Sequence, residues 1–425
     1  MGKKIFVLCG QSINAAIAIA NPGDAIIVED CVYHENVVVN KNDIRLVAAH
    51  PHGAILDGTG APGIGILITA SGVEVNGFVI RNYSGDGILV LSSSVSDRLI
   101  NNNIHNIGLN GVEIQTPQGE HLIWKNNIKD IVSNGIFSTG FGCCNAYIQN
   151  EVERVGGFGI STGCCSFIHQ NEVENTGNIA IDAHSCCNAI TENKVMHSGN
   201  IGISATGCCS PVVSNQVENS GSDGIFAIDF DNFVVDNHVK HSLGTGIRAD
   251  FSGDDIFYGN TVSDSGINGI DGGIFGFDTM IGNHVEKSRG IGINVLGIFN
   301  NAVGNTVLKN QDGIAINPGI GIPNVDNWIL QNEVERNSVD GIFINAANDR
   351  TVVAENEVEK NNVNGIHVFS SFDNIENNEI ENNSIGINIE PSAVDTFVAR
   401  NELEDNDKNV VNNGVNTIFF QNEKD

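Results

Sequence analysis

The chain has 425 residues, room for two or three ordinary domains or for one long repeat array. Its 21 Lys and Arg against 51 Asp and Glu give a formal charge of −30, which repels nucleic acid and anionic membranes and would require bridging cations for a polyanionic substrate. Hydrophobic residues at 41% and charged residues at only 17% exclude an acidic disordered chain, and 49 Gly with only 8 Pro suit many tight turns.

The opening "MGKKIFVLCGQSINAAIAIANPGD" carries two lysines, but its apolar run is shorter than a secretory core. The expectation is a cytoplasmic protein, or one released by lysis or a non-classical route. No segment approaches 18 apolar residues, so no membrane insertion is expected. Ten cysteines without a signal peptide point to a reducing compartment and free thiols. In "SINAAIAIA", Ser12 stands as a helix N-cap before apolar residues at helical spacing. A short helix there would cover an open sheet end. Residues 1–30 are therefore read as a cap with a first strand, and "AIIVEDCVYHENVVV" opens the strands.

From residue 31 to 425 the chain reads as one continuous domain of about 15–16 repeats. Taking the Asn of "N-x-[V/I/L]" as origin, it recurs from Asn102, Asn126 and Asn150 to Asn378 and Asn401, at spacings of 21 to 27 residues. "Gly-Ile" or a near match follows each, as at Gly135-Ile136 and Gly159-Ile160. Such a unit is too short for a helix-bearing crossover of about 30 residues, but holds three short strands and their turns. In "NEVERVGGFGIST", Val152 alternates with Glu151 and Glu153, so each coil has one apolar side that only stacking can bury. The fold class is all-β, a single-stranded right-handed parallel β-helix with a short N-terminal capping helix. Each coil rises about 4.8 Å. The origin asparagines should stack into a ladder and occupy the left-handed turn conformation. A second polar column runs through Asn145, Ser166, Asn188, Ser210, Asn232, Asp255, Asp278 and Asn300. The final "NTIFFQNEKD" looks like one more coil, with Asn422 as origin and no matching cap, which leaves oligomers or end-to-end assembly open.

The opening segment, with Gly23-Asp24, Tyr33 and Glu35, and the repeats after it resemble right-handed parallel β-helix proteins of the pectin-lyase-like superfamily, in particular the NosD-like repeat proteins. The resemblance implies the fold over essentially the whole chain. It leaves function open, since that fold carries lyases, hydrolases, esterases, epimerases and proteins without catalysis. "SGDDIFYG" holds a Gly-Asp-Asp like that of polygalacturonases, but the accompanying Asn-Thr-Asp, His-Gly and Arg-Ile-Lys pieces are absent.

Sites in such a fold lie on outward positions of neighbouring coils. The best cluster is Arg248 and Asp250 on one coil with Asp271 on the next, and Asp229, Asp254 and Asp255 in nearby turns. One coil and two residues separate Asp250 from Asp271 by about 8 Å. That lies within the range of about 6.5–9.5 Å between acid and base in inverting glycosidases. Arg248 could hold a substrate carboxylate or lower one Asp pKa. Phe137 and Phe226 share the face and could stack on sugar rings, with Asp182 and His184 as further substrate contacts. The competing reading is an ordinary acidic surface with one ion pair. A second cluster stacks Glu333, Glu335, Glu357 and Glu359, where Ca²⁺ could bridge coils; its rival is a solvated face screened by salt.

The third cluster is two files of thiols, Cys143, Cys164, Cys186 and Cys208 beside Cys144, Cys165, Cys187 and Cys209. Adjacent coils bring their Cα atoms to about 4.8 Å, inside the disulfide range. Small apolar filling of a corner, inter-coil disulfides and a Zn²⁺ or Cu⁺ site all remain open. Two functions follow. One is a carbohydrate-binding or carbohydrate-active protein with a polysaccharide across the coil face, which as an enzyme would be an inverting hydrolase rather than a lyase or epimerase. The other is a non-catalytic structural or assembly protein of a cell or spore surface.

Overall fold

Each coil is built from three short strands because three turns per lap are fixed by residues in the left-handed region. In one lap these are Cys144, Gln149 and Arg154, with φ of 64°, 54° and 55°. The computed structural model describes residues 2–91, 94–116, 119–139, 143–319 and 324–424. Contacts divide the chain into two units, Met1–Thr206 and Gly207–Asp425.

The first unit begins with a strand, Lys4–Val7, and a helix, Ile13–Ile19. The Ser12 side chain accepts from the Ala15 amide at 3.2 Å, as the N-cap reading required. Glu35 completes that cap, accepting from the Ile13 amide at 2.6 Å and the Ser12 hydroxyl at 2.9 Å. The strands then fall into three parallel sheets, here called first, second and third. One lap runs Ala146–Ile148, Glu151–Val155 and Ile160–Thr162, each pairing with its counterpart one coil on. Inward residues such as Ile128, Val152, Val173 and Val195 are fully buried. The Gly of "Gly-Ile" is required by a close approach: a Cβ at Gly135 would lie 2.4 Å from Val152 Cγ1 and 2.6 Å from the Gly159 carbonyl oxygen.

The second unit repeats the same lap, for example Phe233–Val235, His238–Lys240 and Ile247–Asp250. Its second-sheet column from Val217 to Leu403 is buried throughout. It ends with the strands Ile418–Phe420 and Glu423–Lys424, the coil expected around Asn422.

The asparagine ladder is present in both units. Asn126 accepts from the main-chain and side-chain N–H of Asn102, both at 3.0 Å, and Asn237 accepts likewise from Asn215 at 2.9 and 3.0 Å. The turn assignment needs correction. The left-handed residue is the one before each ladder Asn, such as Asn101, Lys125 and Gln149, and the ladder Asn itself is not left-handed. Its side chain must point inward to reach the next coil, so the reversal is made one residue earlier.

The second polar column is also a ladder. The amides of Asn232, Asp255 and Asp278 donate to the side-chain oxygens of Asp255, Asp278 and Asn300 at 2.8, 3.1 and 2.9 Å. A third ladder, Asn310, Asn337, Asn361, Asn383 and Asn406, runs through the second unit and was not anticipated.

Candidate functional site on the third sheet

In the second unit the third sheet carries an outward column in the register Phe226, Arg248, Asp271 and Asn294. The buried Ile247 and Ala249 on either side of Arg248 fix its direction, because side chains alternate across a strand. Arg248 and Asp271 are thus opposite one another on adjacent strands. Asp250 stands two residues beyond Arg248 on the same strand and is half-buried. One coil and two residues keep Asp250 about 8 Å from Asp271 by backbone spacing.

Arg248 is held on two sides. Its Nε lies 3.0 Å from Asp223 Oδ2, and its guanidinium lies over the Phe226 ring, 4.6 Å from the centroid. Asp223 is buried and also accepts from the Thr245 amide at 2.8 Å. The Asp271 carboxyl is bound at both oxygens. Oδ1 accepts from Asn268 at 2.7 Å and Asn294 at 3.1 Å, and Oδ2 accepts from the Thr245 hydroxyl at 3.2 Å. Burial pushes this carboxyl above the usual range, and the three hydrogen bonds and Arg248 pull against it. Asp223, Thr245, Asn268 and Asn294 were missed in the sequence. Their signal was there: Asp223, Thr245 and Asn268 all stand just before a "Gly-Ile".

Of the nearby acids, Asp255 takes no part in the outward cluster. It is fully buried in the second polar ladder, where desolvation raises its carboxyl to about 6. Phe137, Asp182 and His184 lie on the third sheet of the first unit. There His184 Nδ1 is 3.7 Å from Asp182 Oδ2, and Phe137 stacks on Phe158 with centroids 6.3 Å apart.

The glutamate stripe has the expected register, Glu333 against Glu357 and Glu335 against Glu359. Ligand atoms of Glu335, Glu357 and Glu359 lie within 4.8 Å of one another; Glu333 is outside this group. A hydrogen bond shared with Glu359, burial and the surrounding glutamates raise Glu357 to about 7. Glu359 is held down by Lys360.

The cysteines differ from the free-thiol expectation. Cys143 and Cys164 form a disulfide across adjacent coils, with Cα atoms 4.8 Å apart, and Cys9 and Cys31 form a second, with Cα atoms 5.6 Å apart. Cys144, Cys165, Cys186, Cys187 and Cys209 are exposed and Cys208 is half-buried, so these thiols do not fill an apolar corner. Cys144, Cys165, Cys187 and Cys209 occupy left-handed turn positions. Partial desolvation by its neighbours, together with the Cys187 and Cys144 thiols, pushes the Cys165 thiol up. Among the described residues, three metal-ligating atoms gather within 4.8 Å only at the glutamates, not at the thiols.

Stacked parallel coils with an outward column of acids, amides and one arginine define a β-helix with a polar face. The family described as right handed beta helix region matches residues 178–317 and 274–423, together more than half of the chain, and the chain belongs to that family. No curated protein matches the sequence. Among solved structures, the chain is similar to the periplasmic alginate epimerase AlgG at 13% identity, covering 85% of this chain and 77% of that one, with a TM-score of 0.40. It is similar to DFA-IIIase from Arthrobacter chlorophenolicus A6 at 15% identity, covering 75% and 89%, with a TM-score of 0.41. It is also similar to the Dettilon tailspike protein at 14% identity, covering 79% and 64%, with a TM-score of 0.35. No helix is long and apolar enough to cross a membrane among the described residues.

Proposed function

We propose that the chain is a carbohydrate-active β-helix that lays a polysaccharide across the third sheet of its second unit and hydrolyses it with inversion. The observation that carries this reading is the state of Asp271. A carboxyl whose pKa is raised by burial suits a general acid. Two amides hold Oδ1 as an acceptor, whereas the Thr245 hydroxyl at Oδ2 can donate or accept. As the acid of this reading, Asp271 passes a proton from Oδ2, the oxygen that the two amides leave open, to the glycosidic oxygen. Asp250 is the base for water on the other side, at a spacing that leaves room for that water. Arg248, anchored by Asp223, lies opposite Asp271 and orients hydroxyls. Phe226 offers a ring edge to a sugar. By the same phase, Phe137, Asp182 and His184 are proposed substrate contacts in the first unit.

The test is product release from a panel of neutral and acidic polysaccharides, with proton NMR of the anomer first formed. Wild type is expected to release the inverted anomer, with a loss of 10²-fold or more in both Asp271→Asn and Asp250→Asn, about the size of an acid–base contribution. Equal turnover by the double variant would remove these residues from the mechanism.

The exposed thiols favour a second reading, a non-catalytic array that assembles through disulfides between copies. Thiol-sensitive oligomers on a non-reducing gel, abolished in Cys144→Ser/Cys165→Ser/Cys187→Ser, would support it. A monomer under both conditions would end it. For the glutamate stripe, Ca²⁺ is the proposed bridging ion through Glu335, Glu357 and Glu359, with Glu333 at its rim.

A further inference from the structure

Farther along the third sheet of the second unit lies a second cluster. The register sets Phe343 against His367 and His367 against Asn388. His367 is clamped between two carboxylates, with Nδ1 2.7 Å from Asp340 Oδ2 and Nε2 3.0 Å from Glu390 Oε1. Its ring also makes a triangle with two others, 5.8 Å from Phe343 and 4.6 Å from Phe369, and these phenylalanines are 5.6 Å apart. Asp312 adds a third carboxylate, accepting from the Asp340 amide at 3.1 Å.

The cluster has too many acceptors for its donors. Asn364, only 2% exposed, gives Nδ2 to Asp340 at 2.7 Å and leaves a buried Oδ1 without a partner. Asn388 gives Nδ2 to Glu390 at 3.1 Å and likewise leaves a buried Oδ1 unpartnered. Two carboxylates clamp one imidazole, so donors are outnumbered by acceptors around His367. The Glu390 side chain remains 26% exposed and gives a ligand access.

A ligand that fits must bring several donors, positive charge and an apolar face. A primary ammonium has three donors and no acceptor. A cation near an aromatic face gains a further attraction. A small metal ion fits less well, because no three of these residues bring one ligand atom each within 4.8 Å of one another. We propose that Phe343, His367, Phe369, Asn388 and Glu390 form a binding site for a primary ammonium carried on a pyranose, that is, for an unacetylated amino-sugar unit. The apolar face of the ring stacks on the phenylalanines, and the ammonium meets the accessible carboxylate of Glu390, which the Asn388 amide holds in place. This site stands on its own observations and does not depend on the hydrolytic reading of Arg248 and Asp271.

Calorimetric titration of the full chain at pH 7 tests it, using the disaccharides of glucosamine, N-acetylglucosamine and glucose. The glucosamine disaccharide is expected to bind at least tenfold tighter than the other two. Glu390→Gln and Phe369→Leu should each weaken it at least fivefold, with circular dichroism confirming the fold. Glu402→Gln, on the second sheet, should leave it unchanged. Equal affinity for the amine and its acetylated form would overturn the proposal. So would a Glu390→Gln variant that binds as wild type, since the ammonium would then be held only by the general negative charge.

Discussion

At the scale of single residues, the interior columns are ladders in which one side-chain oxygen caps the amide of the preceding coil. Asn suits this task, because its Nδ2 can donate onward while Oδ1 accepts. Asp accepts equally well but brings a charge into a dry interior. Desolvation accordingly raises Asp255 to about 6 and Asp373 to about 7, and Asp278 goes well above the ordinary value. A carboxyl raised in the folded state favours folding with its proton on. Its contribution is complete below about pH 4, the unfolded value, and is lost as pH rises through about 6. Asp255→Asn is expected to stabilise the protein by about 3 kcal/mol at pH 8, the equivalent of two pKa units. The gain should vanish at pH 3.5, as read from urea midpoints. A gain that does not change with pH would mean that Asp255 is not the titrating group. The Asn column itself was legible, because Asn recurs in phase with an apolar residue. The conformation at its corner was not, since left-handed φ falls on Lys125, Gln149, Arg400 and other residues with no turn preference.

At the scale of strands, the alternation that made the second sheet readable also dictates its electrostatics. In Glu333–Glu335, Glu357–Glu359, Glu379–Glu381 and Glu402–Glu404 every buried apolar residue lies between two glutamates, so the in-register pairs place like charges opposite. Such pairs are destabilising. The protein's response is visible at Glu357, which keeps its proton to about pH 7. Stability from that protonation is present below the unfolded value near 4.3 and is lost as pH rises through 7. Millimolar Ca²⁺ is therefore expected to raise Tm at pH 8 but not at pH 5. Glu357→Gln should raise Tm at pH 8 without Ca²⁺ and remove the response to it. A Ca²⁺ effect of equal size in Glu357→Gln would place the ion elsewhere. The site on the third sheet was only half legible by the same logic. Spacing fixes phase, and phase identified Arg248 and Asp271. Which acid a guanidinium turns to depends on its rotamer, so Asp223 was missed. Asp340, His367 and Glu390 stand at the same phases, one before, two after and four after the glycine of a Gly-Ile, and were missed because phase alone does not show which side chains turn to one another across coils.

At the scale of the molecule, a solenoid is stabilised mainly between neighbours, and each coil contributes through its interfaces with the coils before and after it. The ladders follow that rule. Asn283 accepts from the amide and side chain of Asn260, both at 3.0 Å, and donates to the Phe257 carbonyl and to Asn305 at 2.9 and 3.0 Å. Asn283→Ala strands those buried partners, and each unsatisfied group costs about 1–3 kcal/mol. The loss is expected to total about 4 kcal/mol, yet to remain local. Amide hydrogen exchange should quicken for the coils carrying Asn260, Asn283 and Asn305 and stay at the wild-type rate around Asn378. If exchange instead rose evenly from Asn237 to Asn401, the second unit would open as one cooperative body. Both third-sheet sites would then be coupled, and substitutions at Asp271 would be felt at His367. Under the neighbour rule they are not, because the coils between them transmit nothing beyond their own interfaces.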